Sequence, residues 1–218
     1  MTPAKRAPRV RMLPAGSRAL LIEPEDPSSV DALASTLRGS GLAGITDVLP
    51  AAQTILVTTK PNVGLRDLEL SIHRLFTSAN HVEAAADSGS ELVRIPVSYN
   101  GSDLDDVAAI LGISVDEVIR RHTSRSWRCA FVGFAPGFGY LVSSTPGLAV
   151  PRREQSRTSV PPGAVALADG YSAVYPRRSP GGWQIIGTTT LSTWDLALPQ
   201  PALIRPGHRV QFVNEPAR

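Results

Sequence analysis

Three arginines stand within six residues in Pro151-Arg152-Arg153-Glu154-Gln155-Ser156-Arg157, just before Val160-Pro161-Pro162-Gly163. Guanidinium forks hold carboxylates and phosphates bidentately, so this segment has the chemistry of an anion site. A solvated basic loop is the competing reading. Arg177 and Arg178, before Ser179-Pro180-Gly181-Gly182-Trp183, add a second basic turn in the same half of the chain. Two basic loops flanking glycine-rich turns favour a cleft for an anionic ligand.

The segment Gly133-Phe134-Ala135-Pro136-Gly137-Phe138-Gly139-Tyr140-Leu141 is the densest signal. Its glycines and proline force an irregular turn, and its backbone N–H groups could hold an anion or a developing oxyanion. The alternative is a barrel corner in which Phe134, Phe138 and Tyr140 plug the core. His122 closes a short helix, where it could act as general acid or base near neutral pH. The helix macrodipole also favours histidine there without any chemistry. His73, His81, His208 and Cys129 lack metal-ligand spacing, so no bound metal is expected. Cys129 reads as core packing. The sequence contains no G-x-S-x-G or Walker A element, which disfavours nucleophile-elbow hydrolases.

These residues need a scaffold, and composition bounds it. The chain has 218 residues, 42% hydrophobic and 19% charged, as expected of a globular protein. A net charge of +3 is too small to imply nucleic-acid binding, although the pI is near 9.4. The lone Cys129 excludes an internal disulfide and fits the cytoplasm. No apolar run is long enough to cross a bilayer. Residues 1–11 are basic without a following apolar stretch, so they read as a ragged terminus.

Arg18–Glu23 reads as a strand, followed by capping residues Asp26-Pro27-Ser28 and a helix through Val30, Leu33, Ala34 and Leu37. Ile45–Leu49 and Thr54–Thr59 form a hairpin, and Leu65–Phe76 has helical spacing. This β-α-β-β-α order, with one more strand, matches a ferredoxin-like layer. Ala84–Ser90 is the expected linker between domains 1–88 and 89–218. Glu91–Tyr99 reads as a strand, and Asp103–Leu111 and Val115–His122 as short helices. A DNA-binding helix-turn-helix is disfavoured because Asp116 and Glu117 open the second helix. Arg128–Phe134, Ala164–Ala168, Ser172–Tyr175, Trp183–Thr188 and Arg209–Val213 read as strands spaced for a closed barrel. The fold class is α+β, an N-terminal ferredoxin-like layer followed by a C-terminal β-barrel.

Taken in order, His122-Thr123, Gly133 to Leu141, Pro151-Arg152-Arg153, Arg157, Val160 to Ala166, Tyr175-Pro176 and Ser179 to Thr189 resemble one family. It is the family of the B subunit of 5-oxoprolinase, also described as allophanate hydrolase subunit 1 or a Kip-type inhibitor of a sporulation histidine kinase. It is similar as well to part of the carboxyltransferase domain of urea carboxylase. The resemblance implies a cyclophilin-like barrel and a homologous partner, subunit 2, with a related barrel, and a further large subunit in the oxoprolinase system. It implies a hydrolase subunit, inactive alone, that serves ATP-dependent opening of 5-oxoproline to glutamate, with ATP entering through the assembled complex. The alternatives are an allophanate hydrolase or urea carboxylase role, and a regulatory binding protein. No nucleic acid or membrane partner is implied. His122, Arg152 and Arg157 are then the candidate catalytic residues. Pro136, Gly137, Phe138, Tyr140, Arg153, Gly181, Gly182 and Trp183 are the candidate substrate-binding residues. The chain departs from the family's habits at Ser156, Pro162, Thr188 and His208.

Overall fold

The computed structural model describes residues 8–78 and 91–215. It divides into two compact units, Met1–Gly89 and Ser90–Arg218. The expected linker, Ala84–Ser90, lies outside the described residues. None of the helices among the described residues is long and apolar enough to cross a membrane.

The first unit runs β1 (Val10–Pro14), β2 (Ala19–Pro24), α1 (Val30–Gly39), β3 (Ile45–Pro50), β4 (Ile55–Thr59) and α2 (Leu65–Ser78). Asp26 Oδ1 accepts a hydrogen bond from Ser28 N at 2.9 Å, in the short 3-10 turn that leads into α1. Leu20, Ile22, Ile55 and Val57 alternate onto one face of the sheet, and Leu33, Leu37, Ile72 and Phe76 of the helices cover it. The sheet order is β1-β2-β4-β3, antiparallel throughout. Two expectations change here. Val10–Pro14, which begins inside the segment expected to be ragged, is a full strand paired along β2. It also takes the sheet edge that the strand after α2 was expected to fill. The next described strand, Leu92–Val97, lies in the second unit.

The second unit begins with β5 (Leu92–Val97), α3 (Leu104–Leu111), α4 (Val115–Thr123), β6 (Trp127–Val132) and β7 (Gly139–Val142). It continues through β8 (Arg157–Val160), β9 (Ala164–Ala168), β10 (Tyr171–Val174), β11 (Ser179–Gly181), β12 (Gln184–Thr188) and β13 (Arg209–Asn214). Seven strands form a sheet in the order β12-β9-β10-β7-β6-β13-β5. Its two edges meet where Ser98 and Thr188 exchange two backbone hydrogen bonds of 2.9 Å each, which brings the sheet round into a barrel. β8 and β11 form a separate two-stranded ribbon. Both strands are short and interrupted by proline or polar residues, so no sequence pattern marks them, and none marks β7.

β9 positions the site. Its sequence Ala-Val-Ala-Leu-Ala alternates small and large residues across a sheet that is buried on both faces. Val165 and Leu167 fill the barrel beside Trp127, Leu141 and Phe212. Ala164, Ala166 and Ala168 face the other way, into a cluster with Phe138, Tyr175 and Trp183. Their small side chains leave room for those rings.

Backbone contact is close where the sheet edges meet. A Cβ on Gly101 would lie 2.2 Å from Ile185 O and 2.3 Å from the Ile186 carbonyl carbon. Gly101→Ala is therefore expected to destabilise the chain by about 3 kcal/mol. Gly39→Ala, at the end of α1 with nothing within 4 Å of its added Cβ, should stabilise by about 0.5–1 kcal/mol. Thermal melting of the two variants checks both signs.

Candidate functional site

Asp103 precedes α3, where an aspartate ordinarily caps the helix. Its carboxylate makes no capping bond. Oδ1 accepts from Arg153 Nη1 at 2.7 Å and from Arg157 Nη2 at 2.5 Å, and Oδ2 accepts from Ile185 N at 2.6 Å. Asp103 N also donates to Ile185 O at 2.9 Å, fixing the residue against β12. The Asp103 side chain is only 2% exposed, against 33% and 24% for its arginines. Two cations around one buried anion leave one positive charge over. Arg153 Nε and Arg157 Nη1 are buried without a hydrogen-bond partner, so the clamp keeps unspent donors.

Arg152 turns away from this clamp. Its Nε lies 3.0 Å from Asp169 Oδ2, and its Cζ stands 6.0 Å from the centre of the Trp183 ring. The Asp169 pair is exposed on both sides and worth about 0–1 kcal/mol, so a ligand anion can replace it at little cost. Arg152 and Ser156 edge a cleft of about 230 Å³ walled by Phe134, Phe138, Tyr140, Tyr175 and Trp183. Phe138 lies edge-on to Tyr140, Tyr175 and Trp183 at 5.0, 5.3 and 5.5 Å. Such pairs each add about 0.5–1.5 kcal/mol beyond area burial and hold the walls rigid. Burial pushes the Tyr140 and Tyr175 phenols above their ordinary values, so both remain protonated at neutral pH.

Glycine at 181 and 182 is a matter of space. A Cβ at Gly181 would come 2.4 Å from the Tyr175 hydroxyl oxygen, and one at Gly182 would come 2.8 Å from Ser156 Oγ. Phe134 is the reverse case. Ala135 N donates to Gly133 O at 2.7 Å across it, closing a γ-turn with Phe134 at φ +66°. That conformation costs a non-glycine residue about 1–3 kcal/mol.

Arg152, Phe138, Tyr140, Gly181, Gly182 and Trp183 thus share one cleft, as a joint site requires. Arg153 and Arg157 instead hold Asp103. Arg153 also lines, with Arg152, Asp106, Ile110 and Gln184, a neighbouring groove of about 530 Å³. Pro136 is exposed at the turn, and Gly137 is buried where a Cβ would meet Trp194 Cβ at 2.8 Å. Neither lines the cleft.

His122 lies elsewhere. It is fully buried, stacked on Phe212 at 4.2 Å, with Nδ1 2.7 Å from the Tyr99 hydroxyl and Nε2 2.9 Å from Ser172 Oγ. Burial, and secondarily the charge of Arg125, push its pKa down to about 3. With both ring nitrogens engaged and the side chain fully buried, His122 ties the core together and does not line the cleft. Cys129 is likewise in the barrel core. Among the described residues no group of three or more His, Cys, Asp or Glu is placed to hold a metal ion.

Residues 10–204 match the family of the carboxyltransferase domain, subdomain C and D. The chain belongs to that family. It is 35% identical over 219 residues to the B subunit of 5-oxoprolinase from Escherichia coli O157:H7, covering 95% of this chain and 97% of that protein. A match of 41% over 126 residues to the corresponding 5-oxoprolinase protein of Bacillus subtilis covers 56% of this chain and 52% of that one. Among solved structures, PH0987 from Pyrococcus horikoshii is 32% identical with a TM-score of 0.56, covering 94% of this chain and 98% of that one. TTHA0988 reaches a TM-score of 0.72 at 32% identity, and this chain spans 40% of its length. The Kluyveromyces lactis urea amidolyase, at 18% identity, shares the fold with a TM-score of 0.77, and this chain spans 15% of its length. The family's fold is therefore found both as a chain of this length and inside longer ones.

Sequence reasoning missed Asp103, Tyr175 and Ser156 as parts of the site. Asp103 offered no local signal, since its partners lie fifty and more residues away.

The buried histidine gives a pH prediction. Below its ordinary value of 6.5 the unfolded chain takes up a proton that folded His122 refuses. Its stabilising share is intact above pH 6.5 and declines toward pH 3, by up to about 1.4 kcal/mol per pH unit. Urea unfolding across that range should show a shallower decline for His122→Gln than for the wild type. Parallel curves would contradict the buried, neutral histidine.

Proposed function

We propose that this chain is the barrel subunit of an ATP-dependent 5-oxoprolinase, acting with a homologous subunit 2 and a large third subunit. The observation that carries the reading is the cleft: a small, aromatic-walled slot with one exchangeable arginine at its edge. A five-membered lactam bearing a carboxylate has a ring for the walls and an anion for Arg152. Family membership and the full-length likeness to a protein named as part of 5-oxoprolinase support the substrate class.

The chemistry sets what the other chains supply. An unstrained lactam carbonyl is a poor electrophile, and phosphorylation of its oxygen by ATP makes attack by water feasible. Attack by one water breaks the C–N bond and leaves the new carboxyl as its acyl phosphate. A second water releases the phosphate, so 5-oxoproline, ATP and two waters give glutamate, ADP and phosphate. In this scheme the present chain orients the lactam, Arg152 holds its carboxylate, and the phenols of Tyr140 and Tyr175 donate hydrogen bonds. The Asp103 clamp keeps the neighbouring arginines in place, and its excess positive charge favours the negative charge that phosphoryl transfer brings. ATP enters through the assembled complex, which works in the cytoplasm where ATP is supplied. The chain alone is inactive.

ATP hydrolysis dependent on 5-oxoproline, measured with all subunits co-expressed, tests this reading. Arg152→Ala should raise KM for 5-oxoproline about 10- to 100-fold, the loss of one charge-assisted contact. Arg157→Ala should lower both turnover and melting temperature, because it unbalances Asp103. Turnover unaltered by Arg152→Ala, or absent from the complete wild-type complex, would overturn it.

A further inference from the structure

One wall of the cleft is not required by the fold. Phe134 is 56% exposed, so it adds little to the core. Its backbone sits at φ +66°, where glycine is the natural residue, and glycines occupy positions 133, 137 and 139 around it. A phenylalanine held there against its own backbone preference calls for a role of its side chain. That side chain stands edge-on to Phe138 at 5.1 Å and to Tyr175 at 6.0 Å, two rings of the cleft. The space it bounds is about 230 Å³, below the roughly 300–1,000 Å³ of ordinary small-molecule pockets.

We infer that Phe134 is the specificity-determining cover of the cleft, narrowing it to a flat ring that bears a carboxylate. This rests on the function proposed above and adds the shape that the site selects. Aromatic walls favour a planar ring that meets their faces and edges over a puckered one. Arg152, whose exposed pair with Asp169 is easily exchanged, takes the carboxylate. Phe134 touches the ligand ring and none of the reacting atoms, so its loss weakens selection without removing the chemistry.

The test is calorimetric titration of the full chain with three ring acids that are all net anions: 5-oxoproline, flat pyrrole-2-carboxylate and puckered tetrahydrofuran-2-carboxylate. The wild type should bind the two flatter acids at least about tenfold more tightly than the puckered one. Phe134→Leu, which keeps the turn but removes the ring, and Phe134→Gly, which also relieves the turn, should both bring the three acids within about twofold. The glycine variant should melt no lower than the wild type, separating selectivity from folding. Unchanged ratios in both variants, or no ring acid bound by the wild type, overturn the inference. So does unchanged selectivity with loss of subunit 2 on co-purification, which would make Phe134 a docking residue. Turnover in the assembled complex separates the two readings. Intact 5-oxoproline turnover with unchanged ratios removes only the cover. Absent turnover with ratios lost on substitution keeps the cover and removes 5-oxoproline as the substrate.

Discussion

A single buried carboxylate organises the basic side of the barrel. Asp103, almost fully buried, would be costly there without the partly exposed Arg153 and Arg157. Joined, they tie the entrance of α3 to the segment before β8, and the Ile185 amide ties the same carboxylate to β12. Removing one partner of such a buried pair typically costs about 3–5 kcal/mol, far more than any exposed ion pair returns. The same residues close the barrel, because Asp103 N and Gly101 N donate to the carbonyls of Ile185 and Ile186. Charge pairing and barrel closure are therefore one construction.

From that fixed edge the aromatic cleft follows. Trp183 and Gly182 come directly before β12, and Arg153 N donates to Gly182 O at 2.7 Å, so the clamp's backbone also holds the cleft's floor. The alanines of β9 leave depth for Phe138, Tyr175 and Trp183, while Val165 and Leu167 on the opposite face build the barrel interior. One strand thus serves a hydrophobic core and a ligand-sized slot by alternating residue size. Arg152, one residue from Arg153, points to the slot because its neighbour is already committed to Asp103.

Much of this is legible in the sequence. The helices α1 to α4 and the longer strands announce themselves through periodicity and caps, and the Gly/Pro-rich barrel half through its turns. The arginine cluster marks the anion-facing half, but in the sequence it looks like one set of equivalent forks. Burial divides it: Arg152 is free to exchange partners, whereas Arg153 and Arg157 neutralise an aspartate fifty and more residues away. No local pattern reports such a partner. His122 misleads for a related reason. Its position at a helix end suggests accessibility, yet α4 packs that end against β13, and Phe212 of β13 and Ser172 of β10 enclose the ring. β1, β7, β8 and β11 escape notice because each is short or broken by proline, glycine or charge, and each is made a strand by its neighbour's hydrogen bonds.

The claim that one carboxylate sets the arrangement is open to a double-mutant cycle between Asp103→Asn and Arg157→Gln, read as unfolding free energy in urea. Shared dependence predicts that the double variant loses less than the two single losses added together, by at least about 1.5 kcal/mol. Additive losses would mean that the two residues act independently, and would contradict the account.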